Sequence, residues 1–254
     1  MSSPVVAIDG PAGTGKSTTA REVARRLGWR YVDSGAFYRV AALIALREGI
    51  DLEDEADRAR LRDELASSET EQELSGGRVH TRLDGEDVTD TIRLPAVTRI
   101  VSRVADDPDL REIVNEALRD RVDGEPAVVD GRDIGTVVFP DAFLKVYLDA
   151  SLVERARRRA REAEPERAED PAVLASYEQS LAERDRADRA RPTGALSMAP
   201  DAVRIDTSDI DVETTVARVI HRISERRDEL PESAGPLPPI VKPGGDLTAQ
   251  RRGG

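Results

Sequence analysis

A glycine-rich stretch near the start of the chain carries the residue types that bind phosphate groups. The stretch comprises Gly10, Pro11, Ala12, Gly13, Thr14, Gly15, Lys16, Ser17 and Thr18. It matches the pattern G-x-x-x-x-G-K-[ST], in which successive backbone N–H groups converge on an anion and the lysine reaches the β- and γ-phosphates. The hydroxyl of Ser17 is the group that ligates Mg²⁺ in this pattern. The stretch therefore predicts a site for a nucleoside triphosphate and Mg²⁺.

The elements around this loop must hold it at the end of a strand and the start of a helix. An apolar run at residues 5–9 predicts a buried strand, and residues 17–27 carry apolar side chains at helical spacing. Residues 29–33 predict a second strand, and Ser34 is a natural N-cap for the next helix. A helix that starts at the loop adds its positive dipole end to the site. The order strand–helix–strand–helix predicts an α/β fold.

The rest of the chain extends this pattern. Further strands are predicted at residues 127–130, 143–149 and 202–206, which gives five core strands, each followed by helical material. Residues 70–88 alternate polar and apolar side chains between glycine turns, so they predict a small antiparallel piece outside the parallel sheet. Residues 231–254 are rich in proline and glycine and poor in apolar residues, so we expect them to be disordered.

Composition limits the possible functions. The chain has no cysteine, which excludes disulfides and cysteine-based metal sites or nucleophiles, and its net charge of −12 disfavours a nucleic-acid-binding surface. No signal sequence or membrane-spanning run is apparent, so we expect a soluble cytoplasmic protein without a membrane partner. The acidic, lysine-poor composition could also reflect a high-salt cytoplasm.

Arginine and aspartate recur in three further stretches that could meet the phosphate loop. The stretches are residues 33–39, 130–133 and 184–191. The first two follow predicted strands, at the edge where open α/β sheets bind ligands. In the third, helical spacing places Arg184, Asp188 and Arg191 on one face. Each stretch could instead be a solvent-exposed, ion-paired surface.

These motifs together resemble bacterial cytidylate kinase, of the nucleoside monophosphate kinase family. They are the phosphate loop, DSGAFYR at 33–39, DGRDIGTVVFPDA at 130–142 and ERDRADR at 183–189. The resemblance covers about residues 4–229. It implies a P-loop kinase fold, with a five-stranded parallel sheet, that transfers a phosphoryl group from ATP to CMP or dCMP.

The resemblance also implies roles for individual residues. Lys16, Arg132, Arg158 and Arg191 would be the catalytic residues. The CMP phosphate would be held by Arg39, Arg132 and Arg191. The ribose or the adjacent phosphate would meet Ser34, Arg184 and Asp188. The cytosine edge would be read by Ser102, Arg111 and Asp133. A lid over ATP would carry Arg155, Arg158 and Arg159.

The implied organisation is one kinase domain over residues 1–230, and we expect a monomer. The core would comprise about residues 1–35, 125–154 and 172–230. A CMP-binding insert would span about residues 36–124, with the antiparallel piece at 70–90, and the lid about residues 155–171.

Elementary chemistry agrees with these roles. Cytosine presents an N4 amino donor, which the carboxylate of Asp133 can accept, whereas uracil presents an acceptor at that position. The acceptor group would be a phosphate oxygen, which is largely ionised at neutral pH because its second pKa is about 6. No general base is therefore required, and His80 and His221 lie outside the motifs. Beside Ser17, either Asp33 or Asp130 could support Mg²⁺ through water.

Three alternatives share the phosphate loop. A kinase for shikimate or another small molecule would not need the pairing of Arg111 with Asp133 or the inserted antiparallel piece. A GTP-binding switch protein would need an Asn-Lys-x-Asp motif, and the sequence has none. A nucleotide-driven nucleic-acid machine is disfavoured by the net negative charge.

Overall fold

The computed structural model describes residues 3–237 of the chain. Its strands are β1 (Val5–Asp9), β2 (Arg30–Asp33), β3 (Thr70–Ser75), β4 (Arg78–Leu83), β5 (Glu86–Asp87), β6 (Ala127–Gly131), β7 (Leu144–Asp149) and β8 (Val203–Asp206). Its α-helices are α1 (Lys16–Leu27), α2 (Ser34–Arg47), α3 (Glu55–Ser67), α4 (Pro95–Val104), α5 (Pro108–Val122), α6 (Leu152–Ala163), α7 (Pro171–Ala190) and α8 (Val212–Glu225).

The core is a five-stranded parallel sheet in the order β2-β6-β1-β7-β8, flanked by helices. Strand β1 is central, with Val6 opposite Val128 of β6 on one side and Leu144 of β7 on the other. Every residue of β1 and β6 is buried, as expected for a parallel sheet that is covered on both faces. The predicted α/β fold and its five core strands are confirmed. All five carboxyl ends lie at one edge, where the site forms.

The start of α2 differs from the prediction. Ser34 was predicted to be the N-cap, but the cap is Asp33, whose carboxylate accepts a hydrogen bond from the backbone N–H of Ala36 at 3.2 Å. Asp33 ends β2 in an extended conformation, which is the conformation that an N-cap requires. The hydroxyl of Ser34 is thereby free to donate to the backbone oxygen of Asp130 at 2.7 Å, which ties α2 to the end of β6.

The inserted piece is a three-stranded antiparallel sheet in the order β3-β4-β5, as the alternation predicted. The side-chain amide of Gln72 attaches it to β2, which is an edge strand of the large sheet. Its oxygen accepts from the N–H of Asp33 at 2.9 Å, and its nitrogen donates to the oxygen of Asp33 at 3.0 Å. One side chain therefore makes the two hydrogen bonds that a neighbouring strand would make.

The end of the described chain corrects the prediction of disorder from residue 231. Residues 231–237 are ordered and include a short 3-10 turn, Glu232–Ala234. The indole N–H of Trp29 donates to the backbone oxygen of Ala234 at 2.9 Å, and Leu237 packs against the core. The composition was misleading because one buried indole needs a hydrogen-bond acceptor, which this segment supplies. Residues 238–254, the rest of the predicted disordered tail, lie outside the described residues.

Candidate active site

Two cavities meet at the carboxyl edge of the large sheet. The inner cavity, of about 250 Å³, lies between the ends of β2 and β6 and the helices α4, α5 and α7. The loop cavity, of about 860 Å³, lies along the phosphate loop and reaches α6. The two share lining residues, among them Lys16, Ser17 and Arg39. A ligand in one cavity can therefore contact a ligand in the other.

The phosphate loop has the predicted position between β1 and α1. It turns sharply after β1 at Gly10, whose φ is 148° and where a Cβ atom would lie 2.0 Å from the backbone oxygen of Leu148. Only glycine fits this position. The ammonium of Lys16 donates to the oxygen of Pro11 at 2.8 Å. Burial, and then the nearby Arg132, lower the pKa of Lys16 to about 7. An anion in the loop would offset both effects.

A buried carboxylate lies behind the hydroxyl of Ser17. The Oδ2 atom of Asp130 accepts from the Ser17 hydroxyl at 2.7 Å, and its Oδ1 atom accepts from the phenol of Tyr31 at 2.7 Å. Burial raises the pKa of Asp130 to about 6. Among residues 3–237 there is no group of three or more His, Cys, Asp or Glu side chains that could hold a metal ion by themselves. One hydroxyl backed by a carboxylate fits Mg²⁺, which keeps several waters and takes few protein ligands.

Arginines are concentrated around the point where the cavities meet. Asp188 accepts from Nε of Arg132 at 3.0 Å and lies 2.8 Å from Nη2 of Arg191. Burial by itself would raise the pKa of Asp188, but these arginines outweigh that effect and hold the pKa below its usual value. Burial, and then Arg132, lower the pKa of Arg184 to about 10. The Nε atom of Arg184 is buried with no hydrogen-bond partner among the described residues. This excess of cations and a free buried donor fit an anionic ligand.

The far end of the inner cavity holds a second type of pair. Nη2 of Arg111 lies 2.5 Å from Oδ2 of Asp133, and both side chains are buried. Arg111 also donates to the backbone oxygen of Ala105 at 3.1 Å and lies over the ring of Tyr38, 5.1 Å from its centroid. Burial raises the pKa of Asp133, although Arg111 partly offsets this effect. Ser102 of α4 lines the same end. The pair presents an acceptor and donors in fixed positions, which suits one edge of a base.

The structure therefore brings together all nine residues predicted to bind the substrate, since each lines the inner cavity. They are Ser34, Arg39, Ser102, Arg111, Arg132, Asp133, Arg184, Asp188 and Arg191. The guanidinium of Arg39 donates to Thr98 Oγ1 at 2.8 Å and to the backbone oxygen of Ile92 at 3.1 Å.

The three arginines predicted for the lid are not equivalent. Arg159 is exposed, lines the loop cavity and pairs with Glu162 at 2.7 Å. Arg158 also lines it, and its Nη1 atom donates to Thr207 Oγ1 at 3.1 Å. Arg155 lines neither cavity. It is buried against the phosphate loop, because the first turn of α6 packs directly against Gly13, where a Cβ atom would lie 3.1 Å from Arg155 Cβ.

One arginine that the sequence did not indicate lies at the junction, the place where the inner cavity and the loop cavity meet. Arg93 lines both cavities, and its Nη2 atom lies 3.6 Å from Asp33 Oδ2. Its side chain is half exposed, and after burial it is the largest cause that lowers the pKa of Arg39. It lies in the short 3-10 turn Thr91–Arg93 between the small sheet and α4. No motif marks this turn, so only the fold could reveal its position.

Comparison with known proteins identifies the family. The family model described as "Cytidylate kinase" matches residues 6–225, from β1 to the end of α8. The chain belongs to the cytidylate kinase family. Cytidylate kinase from Pelotomaculum thermopropionicum is 45% identical over 228 residues, which cover 89% of this chain and 98% of that protein. Cytidylate kinase from Rhodococcus jostii is 44% identical over 87% of this chain and 95% of that protein. The resemblance in the motifs is thus confirmed over nearly the full length of these cytidylate kinases.

Proposed function

We propose that the protein transfers the γ-phosphoryl group of ATP to CMP or dCMP, giving ADP and CDP or dCDP. The buried Arg111–Asp133 pair supports this proposal most directly, because both of its buried side chains line the inner cavity. The carboxylate of Asp133 can accept from the N4 amino group of cytosine, and Arg111 can donate to the ring acceptors. Uracil would place its O4 acceptor against the same carboxylate. The site should therefore reject UMP.

The phosphate of CMP lies among the arginines at the junction in this proposal. Arg39, Arg132 and Arg191 hold it, Arg184 supplies its free buried N–H, and Ser34 and Asp188 orient the ribose or the adjacent phosphate. The phosphates of ATP lie in the loop, with Lys16 at the β- and γ-positions. The shared boundary of the two cavities allows the acceptor oxygen to approach the γ-phosphorus in line.

Charge stabilisation and positioning, without a general base, account for catalysis. The acceptor is a phosphate oxygen that is already ionised, since its second pKa is about 6. Neither His80 nor His221 lines either cavity. Lys16, Arg132, Arg158 and Arg191 would stabilise the negative charge that moves between donor and acceptor. Arg93 joins them in this proposal, because it faces both cavities.

Mg²⁺ would bind at Ser17, with Asp130 holding the serine hydroxyl in place. When bound, the ion neutralises charge on the β- and γ-phosphates. Because the Ser17 hydroxyl donates its hydrogen to Asp130, the lone pairs of its oxygen would remain available to coordinate the ion. The sequence prediction of Asp33 as the alternative acidic support is less favoured, because its carboxylate caps α2.

The predicted division of the chain belongs to this proposal as well. Residues 36–124 form the insert over CMP, and residues 155–171 form a lid over ATP that carries Arg159 at its exposed face. Closure of both would exclude water from the transferred group. We also propose a cytoplasmic monomer that binds neither nucleic acid nor membranes. Within residues 3–237, none of the helices combines the length and the apolar character needed to span a bilayer.

A coupled ADP-release assay tests the activity. It would compare CMP, dCMP, UMP, AMP and shikimate as acceptors with ATP and Mg²⁺. We expect turnover with CMP and dCMP and little with the others. Preference for any other acceptor would overturn the proposal. Gel filtration at several protein concentrations tests the monomer.

A further inference from the structure

A buried ion pair lies beneath the phosphate loop, outside both cavities. Nη2 of Arg155 on α6 lies 2.8 Å from Oδ2 of Asp185 on α7, and their side chains are 6% and 4% exposed. Neither residue lines the inner cavity or the loop cavity. Both residues line instead a separate cavity of about 590 Å³ between α6 and α7, so the pair does not face the proposed CMP and ATP sites.

Arg155 connects three parts of the fold. Its Nη1 atom donates to the backbone oxygen of Ala12 in the phosphate loop at 3.1 Å, and its Nε atom donates to the oxygen of Ala150 after β7 at 3.1 Å. The loop rests on it closely, since a Cβ atom at Gly13 would lie 3.1 Å from Arg155 Cβ. The position of the loop thus depends on where Asp185 holds the guanidinium.

The helix that carries Asp185 also carries the carboxylate of the substrate site. Asp185 and Asp188 are three residues apart on α7 and therefore lie on neighbouring positions of one face. Asp188 holds Arg132 at 3.0 Å and Arg191 at 2.8 Å. A single rigid helix therefore links the loop, through Asp185, to the arginines of the CMP phosphate, through Asp188.

Stability alone is a poor explanation for this pair. A buried ion pair often stabilises a protein no more than apolar residues of similar volume would. In addition, the Oδ1 atom of Asp185 is buried without a hydrogen-bond partner among the described residues, which is unfavourable. Phosphoryl transfer, by contrast, is sensitive to geometry, because a misplacement of about 1 Å can cost about 100-fold in rate.

We propose that Asp185 is a positioning residue that, through Arg155, fixes the phosphate loop relative to the substrate arginines held by α7. This inference rests on the proposed kinase activity. Asp185 contacts neither nucleotide, so its effect falls on the alignment of the two bound phosphates and not on their binding.

The first test is Asp185→Asn, which keeps the shape of the side chain and removes its charge. We expect kcat with CMP to fall about 10- to 100-fold, while KM for CMP and for ATP changes less than about threefold. Ile223→Ala is the matched control, because it removes buried methyl groups from α8 and lowers the thermal midpoint without touching the loop. We expect it to keep wild-type kcat below its midpoint. An unchanged kcat in Asp185→Asn would overturn the proposal.

The second test replaces both partners, as Asp185→Leu with Arg155→Met. This double variant leaves no buried charge unpaired, so we expect a thermal midpoint at or above that of Asp185→Asn. We still expect a low kcat, because the hydrogen bond to Ala12 is lost. Recovery of wild-type kcat together with stability would overturn the proposal, since the pair would then serve folding alone. If only one of the two variants folds, its kcat decides. If neither folds, the pair is a folding requirement, which also overturns the positioning role.

The wild-type protein separates this inference from the proposed function. Absence of CMP phosphorylation by the wild type would refute the proposed function itself. If the wild type is active and kcat is unaffected in the folded variants, only the proposed positioning role of Asp185 would be refuted.

Discussion

Replacement of Asp133 by asparagine would test how the site recognises its base. Asp133→Asn keeps the size of the side chain but removes the charge that faces Arg111 at 2.5 Å. The asparagine oxygen can accept from Arg111, and its NH₂ group must then face the base. The N4 amino group of cytosine would meet a donor in place of an acceptor. The O4 atom of uracil would meet a suitable donor.

The size of the effect follows from the lost charge-assisted hydrogen bond. Such bonds contribute about 1.5–3 kcal/mol. Because the pair is buried and the bond to cytosine becomes a donor–donor contact, we take about 2–3 kcal/mol, which is about 30- to 150-fold in kcat/KM for CMP. We expect kcat/KM for UMP to stay constant or rise. The ratio of the two values should therefore fall by at least about 30-fold.

The assay is coupled ADP release at saturating ATP and Mg²⁺, with CMP, dCMP and UMP varied. Asp120→Asn, on the exposed side of α5, is the control and should leave all three values unchanged. An equal fall for CMP and UMP would refute the recognition of N4 by Asp133, because it would indicate a general loss of site structure. Unchanged kcat/KM for CMP would refute it as well.

Three further predictions concern the loop, the junction and the sheet. Lys16→Ala should lower kcat at least about 100-fold with an unchanged circular dichroism spectrum, because the ammonium stabilises the transferred charge; near-normal turnover would exclude the loop assignment. Arg93→Ala should lower kcat about 100-fold in the ADP-release assay, whereas Arg103→Ala on the exposed side of α4 should not, and equal effects would contradict the role at the junction. Burial raises the pKa of Asp9 to about 7, so the folded protein binds this proton more tightly than the unfolded chain and loses stability as pH rises from about 4 to about 7. This loss of unfolding free energy is about 4 kcal/mol for a pKa shift of that size, and Asp9→Asn should remove it. Urea unfolding of both proteins at about pH 4 and about pH 7 measures the difference. The same pH dependence in the two proteins would contradict the prediction.

The parts of the fold that could be predicted are those set by local patterns. The buried runs that form β1 and β6 and the glycine-rich loop determine their own conformations, so the parallel sheet and the phosphate loop followed from the sequence. The tail prediction was wrong at residues 231–237 because the deciding contact joins Ala234 to Trp29, which is distant in the chain. Composition cannot reveal a single long-range hydrogen bond.

Motifs led to the predicted substrate residues, which line one cavity, and the exceptions show what motifs cannot indicate. Helical spacing predicted that Arg184, Asp188 and Arg191 share one face. The structure ends α7 at Ala190, with Arg191 as its C-cap, and all three residues line one cavity. Arg155 and Arg158 are both arginines of α6. Only the packing of α6 against Gly13 places Arg155 below the phosphate loop. Arg93 has no local signal, because its position depends on how the inserted sheet docks.

The docking of that sheet through Gln72 has a consequence for behaviour in solution. A free edge strand offers unpaired N–H and C=O groups to other chains and is a common start of aggregation. On β2, the Gln72 amide occupies the backbone groups of Asp33. On the opposite edge, β8 carries the charged Arg204 and Asp206 at exposed positions. The small sheet that carries Gln72 therefore also protects the large sheet against self-association, so shortening it would risk solubility.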